Sequence, residues 1–223
     1  MKLFAVAKLS PFASRPRMAV YAGDLPVEVC AAPGDGGPHH PDYLKLNPVG
    51  KLPALQLDDG SILVESDSIV EYFADRFPEA RLRPDGAEAT ARGRMLARMA
   101  ELYVIEGALR LFSQMDPATR TWSLAAMDRK VIEDAFTRVD KTLGDLDHFM
   151  GETRLAAADR VTTADCALVP VLAFISGFAE ALGRDPLAGH AKVARYWTNA
   201  QADPVCARVI EEVKGAVSER IKP

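Results

Sequence analysis

Cysteine is scarce and scattered in this chain. Cys30, Cys166 and Cys206 are odd in number and far apart, with no C-x-x-C pair. They supply neither a disulfide framework nor a metal or redox motif, and they suit a reducing, cytoplasmic setting. A basic excess is missing as well: the formal net charge is −4 over 223 residues, without a basic run, so nucleic acid is not expected as a partner. Long apolar runs are also absent. Met1 to Ser10 holds only five apolar residues between Lys2 and Lys8, too few for the core of a signal peptide, and reads as a strand. The longest apolar segment, Cys166 to Ala179, contains Pro170, Ser176 and Gly177. It falls short of the ~18 residues that suggest a membrane span, so a buried helix is expected and a membrane is not. No G-x-S-x-G motif of a serine hydrolase occurs, and Gly50-Lys51 lacks the earlier glycine of a phosphate loop. His39, His40 and Asp42 crowd a proline-interrupted loop, a poor zinc site, so no metal is expected.

What is present divides into two parts. The length exceeds the common single-domain size of about 100–150 residues, which favours two domains. Up to Phe77, short strands and helices alternate: Leu3 to Ala7, a helix to Gly23, Val27 to Val29, a helical turn near Asp42 to Leu46, a hairpin, and a helix from Ser66 to Phe77. Such alternation implies a small α/β unit with a crossover between parallel strands. Pro78 to Gly86, with two prolines, a glycine and several charges, reads as a connector. Beyond it no strand signal appears. Met95, Met99, Leu102, Ile105, Leu109 and Phe112 recur at helical spacing, as do Val131, Ala135, Val139, Leu143 and Leu146. The expected layout is an α/β unit over 1–78, a linker over 79–87 and an all-α helix bundle over 88–223. Thr162 and Asp165 stand at the N-cap and N3 positions of a capping box.

The most informative segment runs from Asn47 to Ser68, NPVGKLPALQLDDGSILVESDS. Pro53 stands at a strand entrance, where a residue without an amide proton is tolerated, and an X-Pro bond can be cis at modest cost. With Leu52-Pro53 cis, the main chain of Leu52 turns outward and can pair with an extended peptide. Asp58-Asp59-Gly60 then makes a hairpin turn to Ile62–Val64. Ser66 is expected to cap the helix that follows, whose amide protons and dipole form a carboxylate site. Glu65 beside it suits an ammonium group. Together these features ask for a small extended peptide with an α-amino acid end.

This run resembles the glutathione site of the cytosolic glutathione transferases, N-P-x-G-K-[VL]-P followed by D-G and E-S. Thr162 to Asp165 is similar to the S/T-x-A-D box of that family, although Ala158 stands where glycine is frequent. Ser10-Pro11-Phe12-Ala13 resembles the S-P-F motif of the tau class and the C-P-F-A motif of the omega class, and Met-Lys-Leu-Phe with Ala13-Ser14 resembles the beta class. The resemblance implies a thioredoxin-like first domain, glutathione as co-substrate, and a group that holds its thiol as thiolate. Ser10, an N-cap with proline at the first helical position, is the candidate donor. A hydrogen bond to a charged acceptor contributes about 1.5–3 kcal/mol, which lowers a thiol pKa near 8.5 by about 1–2 units. Ser14 is the rival if the helix begins later, because Pro16 cannot join the helix ladder; a purely structural cap is the third reading. Serine, unlike the cysteine of the omega and beta classes, favours conjugation or lyase chemistry over mixed disulfides.

The resemblance further implies that Lys51 faces the glycine carboxylate, with a solvated surface lysine as the alternative. Leu52, before Pro53, offers main-chain bonds, and Glu65 and Ser66 take the γ-glutamyl end. His39 or His40 assists at the carboxylate or is simply loop. Asp67 either polarises the γ-glutamyl group or is a first-turn acid favoured by the helix dipole. A small-molecule electrophile is expected between Phe12 and the first long helix, near Tyr103, Glu106 and Arg110, which otherwise serve as surface or dimer contacts. Family members are usually two-fold dimers, so a homodimer is expected. A glutathione-dependent lyase or isomerase acting on an aryl ether or a maleyl compound, and a non-catalytic binding protein on the same fold, remain open alternatives.

Overall fold

A computed structural model describes residues 1–34 and 37–222. Its organising strand is β1 (Lys2–Phe4), followed by α1 (Pro11–Gly23), β2 (Glu28–Cys30), α2 (Pro41–Leu46), β3 (Ala54–Gln56), β4 (Ile62–Val64) and α3 (Ser66–Arg76). The sheet order is β2-β1-β3-β4. β1 pairs parallel with β2, as the crossover through α1 requires, while β3 is antiparallel to both β1 and β4. β1 lacks polar alternation because both of its faces are covered. Leu3 packs into the main core with α1 and α3, whereas Phe4 joins Ala32, Tyr43 and Ala54 in a smaller cluster under α2. This is the α/β unit expected from the alternation of strands and helices, in the thioredoxin-like arrangement that the resemblance implies.

The helical part follows as α4 (Ala87–Met99), α5 (Ile105–Phe112), β5 (Trp122–Ser123), α6 (Arg129–Phe149), α7 (Thr163–Ala181), α8 (Ala191–Ala202), α9 (Pro204–Ser218) and β6 (Ile221–Lys222). α7 is the apolar segment noted in the sequence, and it lies buried at the centre of the bundle. Its N-terminus is tied down by Asp165, whose carboxylate accepts the Thr162 N–H and Oγ1–H, each at 2.8 Å, and the Ala156 N–H at 2.9 Å. Burial pushes this carboxyl above its ordinary value, and the three donors pull the other way. The capping box therefore serves folding. One apolar cluster runs from Leu3 of β1 to Val217 of α9, so the α/β and helical parts share a core. Arg17 reinforces the join by donating to Ala5 O at 2.6 Å and to Glu212 of α9 at 3.0 Å.

Several expectations change in detail. β1 ends at Phe4 rather than Ala7, since Val6 turns out to solvent after Ala5 N–H reaches Cys30 O at 3.3 Å. The connector is bound to the bundle: Arg160 donates to Arg81 O at 3.0 Å and Arg83 O at 2.8 Å. The helical part does contain strands, because β5 and β6 pair in parallel; at two residues each they are too short to register as a period. The first long helix is also interrupted. A π-turn, Ala100–Val104, separates α4 from α5, and such single wide turns tend to occur at functional sites.

Candidate functional site

The loop from α2 to β3 is built around Asn47, which is almost fully buried. Its Oδ1 accepts the Val49 N–H at 3.1 Å and its Nδ2 donates to Lys51 O at 2.8 Å. The Tyr43 hydroxyl, from the buried face of α2, donates to the same Lys51 carbonyl at 2.6 Å. Gly50 has φ +65°, a conformation that only glycine adopts freely. With the Lys51 carbonyl held inward, its side chain stands exposed and Leu52 follows, two residues before β3 begins. The Leu52-Pro53 bond is cis. Among the described residues neither the N–H nor the C=O of Leu52 has a hydrogen-bond partner, which leaves both free for an added strand.

Across the groove, a single residue carries the chain from β4 into α3. Glu65 has φ 68° and ψ 119°, a sparsely populated conformation for a residue with a side chain, costing of the order of 1–3 kcal/mol. It corrects the expected cap: Glu65 occupies the N-cap and Ser66 is the first helical residue, with no side chain capping the turn. The strand ends one residue before the helix begins, so the reversal falls on Glu65. The first-turn amides are therefore left without a side-chain acceptor, ready for an anion.

The resulting groove encloses about 280 Å³ and brings together Lys51, Leu52, Pro53, Glu65 and Ser66, with Phe12 at one end. Two further expected residues lie elsewhere. His40 is the N-cap of α2, where its Nδ1 accepts the Asp42 N–H at 3.2 Å. Asp67 is outside the groove lining and accepts Arg15 Nη2 at 2.8 Å. Nothing in the sequence singled out this arginine. It is 3% exposed and also stands 3.7 Å from Glu101. Glu101 and Leu102 enter the groove from the π-turn. Leu102, expected on the buried stripe, is instead 48% exposed, because the wide turn advances the helix face by about one residue.

Beyond Phe12 the groove meets a second cavity of about 210 Å³, lined by Ser10, Pro11 and Phe12 of the first helix, Ile105, Ala108, Leu109 and Phe112 of α5, and Phe174 of α7. Ser10 is the N-cap of α1, and its Oγ accepts the Ala13 N–H at 3.3 Å. That bond occupies a lone pair and leaves the hydroxyl proton available. Ser14 is inside the helix and fully buried, donating to Lys8 O at 3.4 Å and accepting from Arg17 Nη2 at 2.9 Å. Helix formation from Pro11 thus puts Ser10 at the cavities and commits Ser14 to the interior.

The second cavity lies between Phe12 and the first long helix, and the three residues expected to line an electrophile site there fall on another face. Tyr103 is about half exposed, Glu106 pairs with Arg138 of α6 at 2.8 Å, and Arg110 stands 3.8 Å from Glu106. None of the three lines the cavity. The wall is the apolar stripe itself, residues 105, 108, 109 and 112, which in sequence is indistinguishable from core. Two larger open depressions, of about 460 and 480 Å³, occur on the helical part. Ser10 lines neither, and they are bordered by the ion pairs Arg184–Glu133 and Lys214–Glu180.

Residues 5–81 match the family model for the glutathione S-transferase N-terminal domain. Maleylacetoacetate isomerase of Pseudomonas aeruginosa is 31% identical over 160 residues, covering 68% of this chain and 70% of the relative. The chain belongs to the glutathione S-transferase superfamily. Its structural neighbours include bacterial beta-class and plant transferases. A sphingomonad glutathione S-transferase complexed with glutathione superposes with TM-score 0.69 at 23% identity, over 96% of this chain and 99% of that one. Glutathione transferase F7 from Populus trichocarpa superposes with TM-score 0.76 at 22% identity, over 95% and 98%. These likenesses establish the transferase fold along nearly the whole chain.

Proposed function

We propose that this protein is a glutathione transferase in which Ser10 holds the glutathione thiol as thiolate for attack on an apolar electrophile. The observation that carries the reading is the free hydroxyl proton of Ser10, at the head of α1 and at the junction of a polar, backbone-edged groove with an apolar cavity. Thiolate is the nucleophilic form, and a donor at a helix N-terminus favours it through both hydrogen bond and dipole. In this reading the Leu52 main chain pairs with the cysteinyl unit of glutathione and Lys51 attracts its glycine carboxylate. Ser66 and the first-turn amides of α3 hold the γ-glutamyl carboxylate, and Glu65 takes the ammonium group. Asp67 acts through Arg15 rather than by direct contact.

Two half-exposed apolar side chains at the groove, Val49 and Leu102, fit burial in a two-fold homodimer, which light scattering tests. The relative named for maleylacetoacetate isomerisation gives a second reading, glutathione-dependent isomerisation, with the same need for a thiolate. The deciding experiment is a spectrophotometric titration of bound glutathione thiolate against pH in wild type and Ser10→Ala. Thiolate appearing about 1–2 units below free glutathione, in wild type alone, supports the reading. Binding without thiolate stabilisation points instead to a non-catalytic scaffold.

A further inference from the structure

We infer that Ser14, Arg17 and Glu212 are positioning residues for Ser10: a buried chain of hydrogen bonds runs from α9 to the loop that presents the thiol donor and fixes where its hydroxyl lies. The inference deepens the transferase reading and rests on it. The segment from Ala5 to Ser10 lies between β1 and α1, so most of its backbone groups must be satisfied outside a ladder. Ser10 N–H donates to Ala7 O at 3.2 Å. Two further carbonyls are held by side chains of α1. Arg17 Nη1 donates to Ala5 O at 2.6 Å, and Ser14 Oγ donates to Lys8 O at 3.4 Å. Arg17 Nη2 in turn donates to Ser14 Oγ at 2.9 Å, so one guanidinium governs the loop near both of its ends.

The remaining donor of the same guanidinium points to the helical part. Arg17 Nε donates to Glu212 of α9 at 3.0 Å. Arg17 is 2% exposed, and a charge buried that deeply needs a fixed counter-charge. Glu212 is itself held in place: it accepts the Tyr21 hydroxyl at 3.3 Å and stands 3.6 Å from Arg208. A join between α1 and α9 alone would use only the Arg17–Glu212 pair. The other donors turn back to the segment that leads into Ser10, and the planar fork of arginine ties their directions to the position of Glu212. A displacement of Glu212 therefore moves the carbonyls of Ala5 and Lys8 and, with them, the residue two places on. Ser14, fully buried, serves the chemistry without reaching the thiol.

The test is a double-mutant cycle read on kcat and on the pH titration of bound glutathione thiolate. Ser14→Ala keeps the helix, because alanine is the best helix former, and removes the link between Arg17 and Lys8 O. It should lower kcat about fivefold and raise the pKa of the bound thiol by about half a unit, the scale of one neutral hydrogen bond, with the dissociation constant of glutathione within about twofold. In the Ser10→Ala background the same substitution should change neither kcat nor the thiol pKa. A loss of equal size in both backgrounds would overturn the inference, as would a lower melting temperature with kcat and thiol pKa unchanged. Glu212→Ala reads the far end of the chain. It should reproduce the Ser14→Ala losses, and Glu212→Gln, which keeps an acceptor for Arg17 Nε, should restore most of them; unaltered kcat in Glu212→Ala would overturn the inference. If Glu212→Ala does not fold, the Ser14→Ala cycle decides. Amide hydrogen exchange on the glutathione-free protein separates this inference from the transferase reading. If Ser10→Ala leaves the bound thiol unchanged, the transferase reading falls. Exchange at the Ser10 amide about fivefold faster in Ser14→Ala, with the β3 amides unchanged, still supports the positioning chain, and unchanged exchange at Ser10 refutes it.

Discussion

The groove and the cavity meet at Phe12 but are made in opposite ways. The groove is drawn almost entirely from residues 47–66, a contiguous stretch, and its recognition elements are main chain: unpaired backbone groups at Leu52, bare amides at the start of α3, and a strained reversal at Glu65. The cavity gathers α1, α5 and α7, up to 164 residues apart between Ser10 and Phe174, and its elements are apolar side chains. A surface built from main-chain groups needs local conformations that leave a mark in sequence. A surface that reads shape needs only apolar residues, and these look like any other part of the core.

This contrast can be broken or sharpened by substitution. The largest expected effect is at the junction. Ser10→Ala removes a hydrogen bond to a charged acceptor and should lower turnover at least about tenfold, while the dissociation constant of glutathione measured by calorimetry stays within about twofold. Unchanged turnover would take Ser10 out of the mechanism. Asn47→Ala attacks the groove from behind. It leaves Val49 N–H without its acceptor and Lys51 O with Tyr43 alone, so stability should fall by about 1–3 kcal/mol in urea melts. Glutathione binding should weaken with it, while retention of a neutral arene in the cavity persists. Loss of both together would show that groove and cavity are one unit.

Glu65→Gly separates binding from stability. Relief of a positive φ is worth of the order of 1–3 kcal/mol, offset by roughly 0.5–1 kcal/mol of added chain entropy. The variant should therefore be slightly more stable and yet bind glutathione about tenfold more weakly. A variant that loses stability would show that Glu65 is held for packing. The smallest effect is expected outside both surfaces. Asp203 caps α9 through the amides of Val205 and Cys206 and pairs with Arg154 at 2.8 Å. Burial raises its pKa, but the Arg154 bond and the helix amides outweigh burial and hold it below the ordinary value. Its stabilisation is fully present above about pH 4, the unfolded carboxylate value, and is lost as pH falls through the lower folded value. Asp203→Asn should flatten that acid limb by under about 1 kcal/mol in thermal melts, with glutathione binding and arene retention both unchanged.

The sequence by itself determined the α/β alternation, the capping box at Thr162, and the segment from Asn47 to Ser66, because each depends on local chemistry: proline without a donor, glycine at positive φ, a cap and its partner three residues apart. It also placed Ser10 correctly at the start of α1, since proline at the first helical position fixes what comes before it. Tertiary structure alone decided the rest. Whether Glu65 or Ser66 begins α3 depended on how far β4 runs before the turn. The π-turn at Ala100–Val104 brought Glu101 and Leu102 into the groove, and a one-residue shift of that kind leaves apolar spacing almost unaltered. Arg15 found its partners only by lying between Asp67 and Glu101. Ile105, Ala108, Leu109 and Phe112 line a cavity as well as joining or flanking the core because Phe12 and Phe174 leave space against them. Apolar periodicity says which face of a helix avoids water, and only packing says whether that face meets a neighbour or a cavity.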